Sequence, residues 1–243
     1  MGWKPNSALF GGTAMPGWTA CGEWMHFAHL DGGADLDGAY TIGYRITDDA
    51  ADPWTTRFNR FKAKDPAAFV GGAHALSSGM PALLKSLGVA PADAVIVPAL
   101  GSGESKAAAD GQLAKLAGRI GKVTGAQVDA NVLSKQPHKP IHGIFNASER
   151  DAELDKAAYG ASKLKAKNVF VVDDLITRGS TLSRIAAAIK AANPGTKVYG
   201  VALAKTDRRS FWGSLDNNHV AKSWDDRWQQ GEKAYQERQA KGK

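Results

Sequence analysis

Short, wholly apolar runs alternate along this chain with stretches whose apolar residues return at helical spacing. Ala94-Val95-Ile96-Val97 and Val169-Phe170-Val171-Val172 are too short for buried helices and suit strands covered on both faces. Lys197 to Ala204 reads as a further strand, entered through the turn Asn193-Pro194-Gly195. Tyr40 to Ile46 predicts a strand closed by the break Asp48 to Pro53, and Ala126 to Leu133, which alternates in part, predicts another. Leu182, Ile185, Ala186 and Ile189 recur at i, i+3, i+4 and i+7, one face of a helix. Leu113, Leu116, Ala117 and Ile120 mark a second helix, expected to begin near Glu104. Two more are expected over Pro66–Ser78 and Pro81–Leu87, the latter ended by Gly88. Trp54, Phe58 and Phe61 share one face of a short helix, with Arg57, Arg60 and Lys62 elsewhere on the cylinder. Trp224, Trp228 and Tyr235 lie at i, i+4 and i+11 in a charged tail, the stripe of an amphipathic helix packed on the core or on a partner subunit.

The stretch from Asn168 to Leu182 carries the clearest chemistry. Its strand is expected to end at two adjacent carboxylates, Asp173 and Asp174. A loop of Thr177, Arg178, Gly179, Ser180 and Thr181 then opens the helix that contains Leu182. Acids at a strand's carboxyl end, beside hydroxyls and a glycine at a helix start, stand where an open α/β sheet binds ligands. Free N–H groups and the helix dipole make an anion site, and Gly179 lets the backbone approach a phosphate closely. The acids would repel that phosphate, so they suit the hydroxyls of an attached sugar. The simpler alternative is a solvated acidic pair followed by a helix capped by Ser180 or Thr181.

Pro98-Ala99-Leu100-Gly101-Ser102-Gly103 repeats the logic of strand, small-residue loop and helix, with Lys106 as the nearest cation. Between Lys135 and Arg150 there is no core pattern, but Lys135, His138, Lys139, His142 and Arg150 gather positive charge. That segment reads either as a loop serving the site or as ordinary surface.

Composition narrows the class without choosing a function. The chain has 243 residues, 43% hydrophobic and 23% charged, which fits one α/β domain with additions. A net charge of +7 favours anionic ligands, without separating nucleic acid from a phosphorylated small molecule. Cys21 is the only cysteine, so no intramolecular disulfide forms and a reducing compartment fits. No spanning helix and no signal peptide are expected, which makes the cytoplasm the expected location. Cys21, His26 and His29 match no standard structural zinc pattern. They are expected to be polar residues of an aromatic-rich cap, with no metal site. Arginines interleaved with aromatics over Trp54–Lys62 suit core packing, or stacking on single-stranded nucleic acid.

The run Val-Phe-Val-Val-Asp-Asp-Leu-Ile-Thr-Arg-Gly-Ser-Thr resembles the 5-phosphoribosyl-1-pyrophosphate (PRPP) motif of type I phosphoribosyltransferases. Within that superfamily the chain is most similar to the ComF-like branch, associated with DNA uptake, but lacks its N-terminal four-cysteine zinc module. The resemblance covers roughly residues 54–209. It implies an α/β fold with a mainly parallel central sheet and helices on both faces. Residues 54–210 would form the core, with 1–53 as a Gly/Trp-rich segment or cap and 211–243 as a C-terminal helix and tail. It further implies PRPP as ligand, Mg²⁺ arriving through PRPP, and displacement of pyrophosphate from ribose C1 by a nitrogenous acceptor.

By that resemblance Asp173 and Asp174 are the catalytic acids, and Thr177, Arg178, Gly179, Ser180 and Thr181 hold the 5-phosphate. Leu100, Gly101, Ser102, Gly103 and Lys106 would meet pyrophosphate on a loop that often carries a strained or cis peptide. Lys135, His138, Lys139 and Arg150 would belong to a mobile loop that closes over the site. Thr177 stands where 6-oxopurine enzymes have an aspartate, so that substrate class is disfavoured, and Arg178 replaces a smaller residue. The acceptor stays unassigned. Single-stranded nucleic acid, or a second copy of the chain in a homodimer, remain alternative partners, as does a PRPP sensor without turnover.

Overall fold

The structure is a computed structural model that describes residues 18–30, 35–140, 144, 146–208 and 219–242. A hairpin of β1 (Thr19–Cys21) and β2 (Trp24–His26) leads into β3 (Gly38–Thr41) and β4 (Tyr44–Ile46). The helices α1 (Pro53–Lys62) and α2 (Pro66–Ser86) follow, then β5 (Ala94–Pro98), α3 (Gln112–Thr124) and β6 (Gln127–Val128). The short pair β7 (Leu133–Ser134) and β8 (Gly160–Ala161) encloses α4 (Ala147–Asp155). The chain ends through β9 (Asn168–Ile176), α5 (Ser180–Ala192), β10 (Lys197–Asp207) and α6 (Lys222–Lys241).

Among the described residues these strands form an eight-stranded sheet in the order β1-β2-β3-β10-β9-β5-β6, with β4 also paired to β10. Only the β1–β2 and β2–β3 pairings in it are antiparallel. All others, from β3 and β4 on β10 across to β6 on β5, are parallel. The α/β class and the mostly parallel central sheet therefore hold. The sheet also crosses the sequence division at residue 53, since β3 and β4 lie against β10.

Side chains alternate between two cores, as strand geometry dictates. Phe170, Val172, Ile96 and Val201 face Trp54, Leu76, Leu116 and Trp224 of α1, α2, α3 and α6. Val169, Val171, Val95 and Val97 face Leu182, Ile185 and Ile189 of α5. Helices thus cover both faces. Trp54, Phe58 and Phe61 are buried, while Arg57 pairs with Asp225 and Arg60 with Glu232, both on α6. The stripe on α1 is core packing. The terminal helix is also a core element: Trp224 and Trp228 are fully buried, and Tyr235 is half-buried.

Four expectations change. Pro66–Ser86 is one helix through Pro81, not two, because Leu76, Met80, Leu83 and Leu84 bury its face on both sides of the proline. Packing there outweighs the lost backbone N–H. That helix is long and apolar enough to cross a membrane by length and composition, contrary to expectation, yet most of it is buried in the domain. The strand expected over residues 126–133 breaks into β6 and β7, because the Asp129 carboxylate accepts from the Asn131 N–H and turns the chain. The helix expected near Glu104 begins at Gln112, because the Glu104 carboxylate instead turns back to accept from the Gly101 N–H.

Close helix contact depends on glycine here. A Cβ at Gly79 would overlap the Trp224 indole, and one at Gly71 or Gly72 the Trp228 indole. Gly79→Ala is expected to destabilise the fold by about 1–3 kcal/mol, the usual scale for overpacking. Chemical denaturation checks this, and an unchanged midpoint would contradict the contact.

Candidate functional site

The strand order places a crevice at one point. After β5 the chain goes to β6 on one side, and it later returns to β9 on the other. Open α/β sheets bind ligands at such a reversal, outside the carboxyl ends of the strands. A cavity of about 860 Å³ opens there, lined from the loop after β5, from α4, β9 and β10, and from the start of α5. That volume suits a small-molecule ligand.

Asp173 and Asp174 lie inside β9, which runs on to Ile176 and does not end at them as expected. The pairing explains it: β5 leaves β9 at Val172, but β10 stays paired as far as Ile176. The two carboxylates therefore sit on a supported strand beside space that β5 has vacated. Asp174 accepts from the Lys62 ammonium of α1 at 2.6 Å. Asp173 accepts from the Asp174 N–H at 2.8 Å. Burial pushes the Asp173 carboxyl up to about 7, with the Asp174 charge adding to the rise and nearby N–H groups and Lys62 opposing it.

A pH dependence follows. A carboxyl raised in the folded state stabilises the fold fully below its ordinary pKa, and that contribution is lost as pH rises through about 7. Asp173→Asn is expected to flatten the fall in melting temperature between about pH 4 and 7, as thermal denaturation of both proteins would reveal. Parallel curves would contradict the raised carboxyl.

Past Ile176 the loop leads into the start of α5 at the cavity. Gly179 has φ 77°, the left-handed region, and precedes α5 without any side-chain cap bond. The first N–H groups of α5 are consequently free of a capping side chain and face the cavity, which residues 177–181 line. Thr177 and Thr206 share a hydroxyl hydrogen bond of 3.1 Å, which ties the loop to β10.

The remaining sequence candidates divide. Leu100, Ser102, His138 and Arg150 line the cavity. Gly101, Gly103, Lys106 and Lys139 do not line it, and all four are exposed. The Gly101 N–H is already bonded to Glu104 at 2.7 Å, and the described peptide bonds include no cis bond. Lys135, expected on a mobile surface loop, is 4% exposed and donates to the Ser102 carbonyl at 2.7 Å. Burial lowers its pKa, with Glu104 opposing, so it acts as an internal brace for the β5–α3 loop. Arg150 sits on α4, not on a loop, and α4 is tied to α5 by Arg184 through Asp155 at 2.7 Å. His142 and the His29 side chain lie outside the described residues, as do residues 1–17. Cys21 pairs across the hairpin with Trp24, and His26 with Thr19 at its other end, so the two do not converge.

Sequence reasoning missed several lining residues. Lys62 was visible only as a surface cation of α1. Arg45 and Thr47, at the carboxyl end of β4, and Thr206 of β10 become legible once both strands are known to be parallel. Tyr159 left no signal. It lines the cavity with its hydroxyl buried and without a partner, and burial, with Asp173 adding, raises that phenol to about 12.

Charge completes the geometry. Arg45, Arg150, Arg178 and Arg208 line the cavity, and none has a carboxylate partner among the described residues. Arg57, Arg60, Arg184 and Arg227, away from it, all do. Fold and site together define an α/β protein with an arginine-lined cavity at its switch point, beside an acidic pair. Comparison of the chain with protein-family models and with curated proteins finds no match.

Proposed function

We propose that this protein is a phosphoribosyltransferase of the type I class that binds PRPP and transfers its phosphoribosyl group to a nitrogenous acceptor. The observation that carries this reading is the uncapped start of α5 opening, with the Asp173–Asp174 pair, into one cavity lined by unpaired arginines. The free N–H groups of Ser180 to Leu182 and the hydroxyls of the loop hold the 5-phosphate. Asp173 and Asp174 accept from ribose hydroxyls. Arg150, His138 and the Ser102 region meet the pyrophosphate end, where negative charge grows as the C1–O bond breaks. The bond's electron pair leaves with pyrophosphate, and a nitrogen lone pair of the acceptor forms the new C1–N bond. Catalysis rests on positioning, since no nucleophile–base pair is required.

Among the described residues no three His, Cys, Asp or Glu side chains gather as a cation cage. A Mg²⁺ ion would come bound to the diphosphate, keep waters, and offset the leaving group's charge. A cytoplasmic location goes with this reading. The nucleic-acid alternative loses its main support, because the aromatics of α1 are buried and its arginines paired.

Amide exchange tests the site. PRPP with Mg²⁺ is expected to slow exchange over residues 146–155 and 177–183, while a single-stranded oligonucleotide at physiological salt leaves them unchanged. Protection by the oligonucleotide alone would reverse the assignment. Release of pyrophosphate on adding acceptors separates the enzyme from a PRPP sensor without turnover.

A further inference from the structure

The far end of the cavity has a chemistry of its own. Arg45 of β4 stands in register with Thr206 of β10, and Ile46 with Asp207, so the carboxyl ends of the two strands lie side by side. Thr47 follows directly, its N–H and hydroxyl both donating to the Asp207 carbonyl at 2.8 and 3.2 Å. Arg45, Thr47, Thr206, Asp207 and Arg208 all line the cavity. Arg45 is half-buried, and its Nε donates to the Asn59 Oδ1 at 3.0 Å. Asn59 is a neutral amide. It fixes the guanidinium without cancelling its charge, and leaves the terminal nitrogens for something else.

The other polar groups at this end are already engaged. The Thr206 hydroxyl is bonded to Thr177, and that of Thr47 to the Asp207 carbonyl. The Asp207 carboxylate accepts from the Arg208 N–H, and its charge acts on Tyr44 and Lys205. Among the described residues, the donors left over are guanidinium N–H groups, a planar fork whose best complement is a two-oxygen planar anion.

We infer that this end of the cavity is a second anion subsite that recognises a carboxylate on the nitrogenous acceptor, with Arg45 as the principal donor and Asn59 as its positioning residue. The assignment of that anion to the acceptor rests on the phosphoribosyltransferase reading. With pyrophosphate toward β5 and ribose at β9, an acceptor displacing it from the opposite side of C1 arrives over β10 and β4, where Arg45 and Arg208 stand. An aromatic carboxylate with a ring nitrogen fits both needs: the nitrogen reaches C1 and the carboxylate reaches the fork. A neutral ring would leave Arg45 without its complement.

The test uses the full chain and two matched pairs of probes: nicotinate against nicotinamide, and pyridine-2-carboxylate against its amide. Each is titrated calorimetrically with and without PRPP and Mg²⁺. The carboxylate of each pair is expected to bind about tenfold or more tightly than its amide. Arg45→Gln, which can still hydrogen-bond Asn59, is expected to abolish that preference, and Asn59→Ala to reduce it, with far-UV circular dichroism unchanged. Equal affinities within each pair, or a preference that survives in Arg45→Gln, would overturn the subsite. If the preference and its loss appear although PRPP does not bind, the anion subsite stands and the phosphoribosyl reading fails. If PRPP binds and no preference appears, the reverse holds.

Discussion

Gly179→Val is expected to abolish PRPP binding, the largest single effect this site offers. Gly179 lies at φ 77°, where a β-branched residue is a steric outlier, and its Cβ would meet Leu30 at 3.4 Å. Holding a non-glycine residue there costs about 1–2 kcal/mol, so the first turn of α5 would shift or the whole protein would lose that much stability. Either way the free N–H groups lose their common aim. Titration followed by circular dichroism separates the two causes. Normal PRPP affinity in the folded variant would show that the phosphate is bound somewhere other than the start of α5.

The second large effect is expected from Asp174→Asn. Asp174 is held by Lys62 at 2.6 Å and lines the cavity beside Asp173. As an acceptor for ribose hydroxyls it loses a charge-assisted hydrogen bond, worth about 1.5–3 kcal/mol, or roughly ten- to a hundredfold in affinity. The variant also leaves the Lys62 ammonium without its partner in the cavity. That ammonium then attracts the phosphates of PRPP, so the observed loss is expected nearer the lower end of the range. Lys62→Met on the same background would move the loss toward the upper end. Unchanged affinity in Asp174→Asn would remove the acid pair from ribose binding.

The parts of this fold that came through in the sequence are those where local pattern and burial agree. The apolar runs at Ala94 and Val169 are strands because both their faces are covered, and Leu182 to Ile189 is a helix because only one of its faces is. The loop from Thr177 to Thr181 was legible because a glycine with positive φ and a helix start are local features. Elements decided by distant contacts were not. Pro81 stays within α2 because α6 and the sheet bury the helix around it, and no window of sequence contains that partner. Asp173 and Asp174 remain in a strand because β10 keeps pairing after β5 has left.

The same distinction explains the site. Lys135 looked like a surface cation until its ammonium was found beneath the β5–α3 loop, on the Ser102 carbonyl. Glu104 looked like a helix start, whereas it closes a turn on Gly101. Lys62 and Arg45 enter the cavity from α1 and β4, more than a hundred residues before the acids they accompany. Their roles depend on the parallel packing of β4 on β10 and on α1 ending above β9, which spacing alone does not encode.

The most direct measurement is calorimetric titration of the full chain with PRPP in the presence of Mg²⁺, beside Gly179→Val and a single-stranded oligonucleotide at low and physiological salt. The account predicts saturable binding of PRPP at one site, lost in Gly179→Val. It predicts oligonucleotide binding that is weak and fades as salt rises. No heat with PRPP, or equal binding by wild type and Gly179→Val, would contradict it.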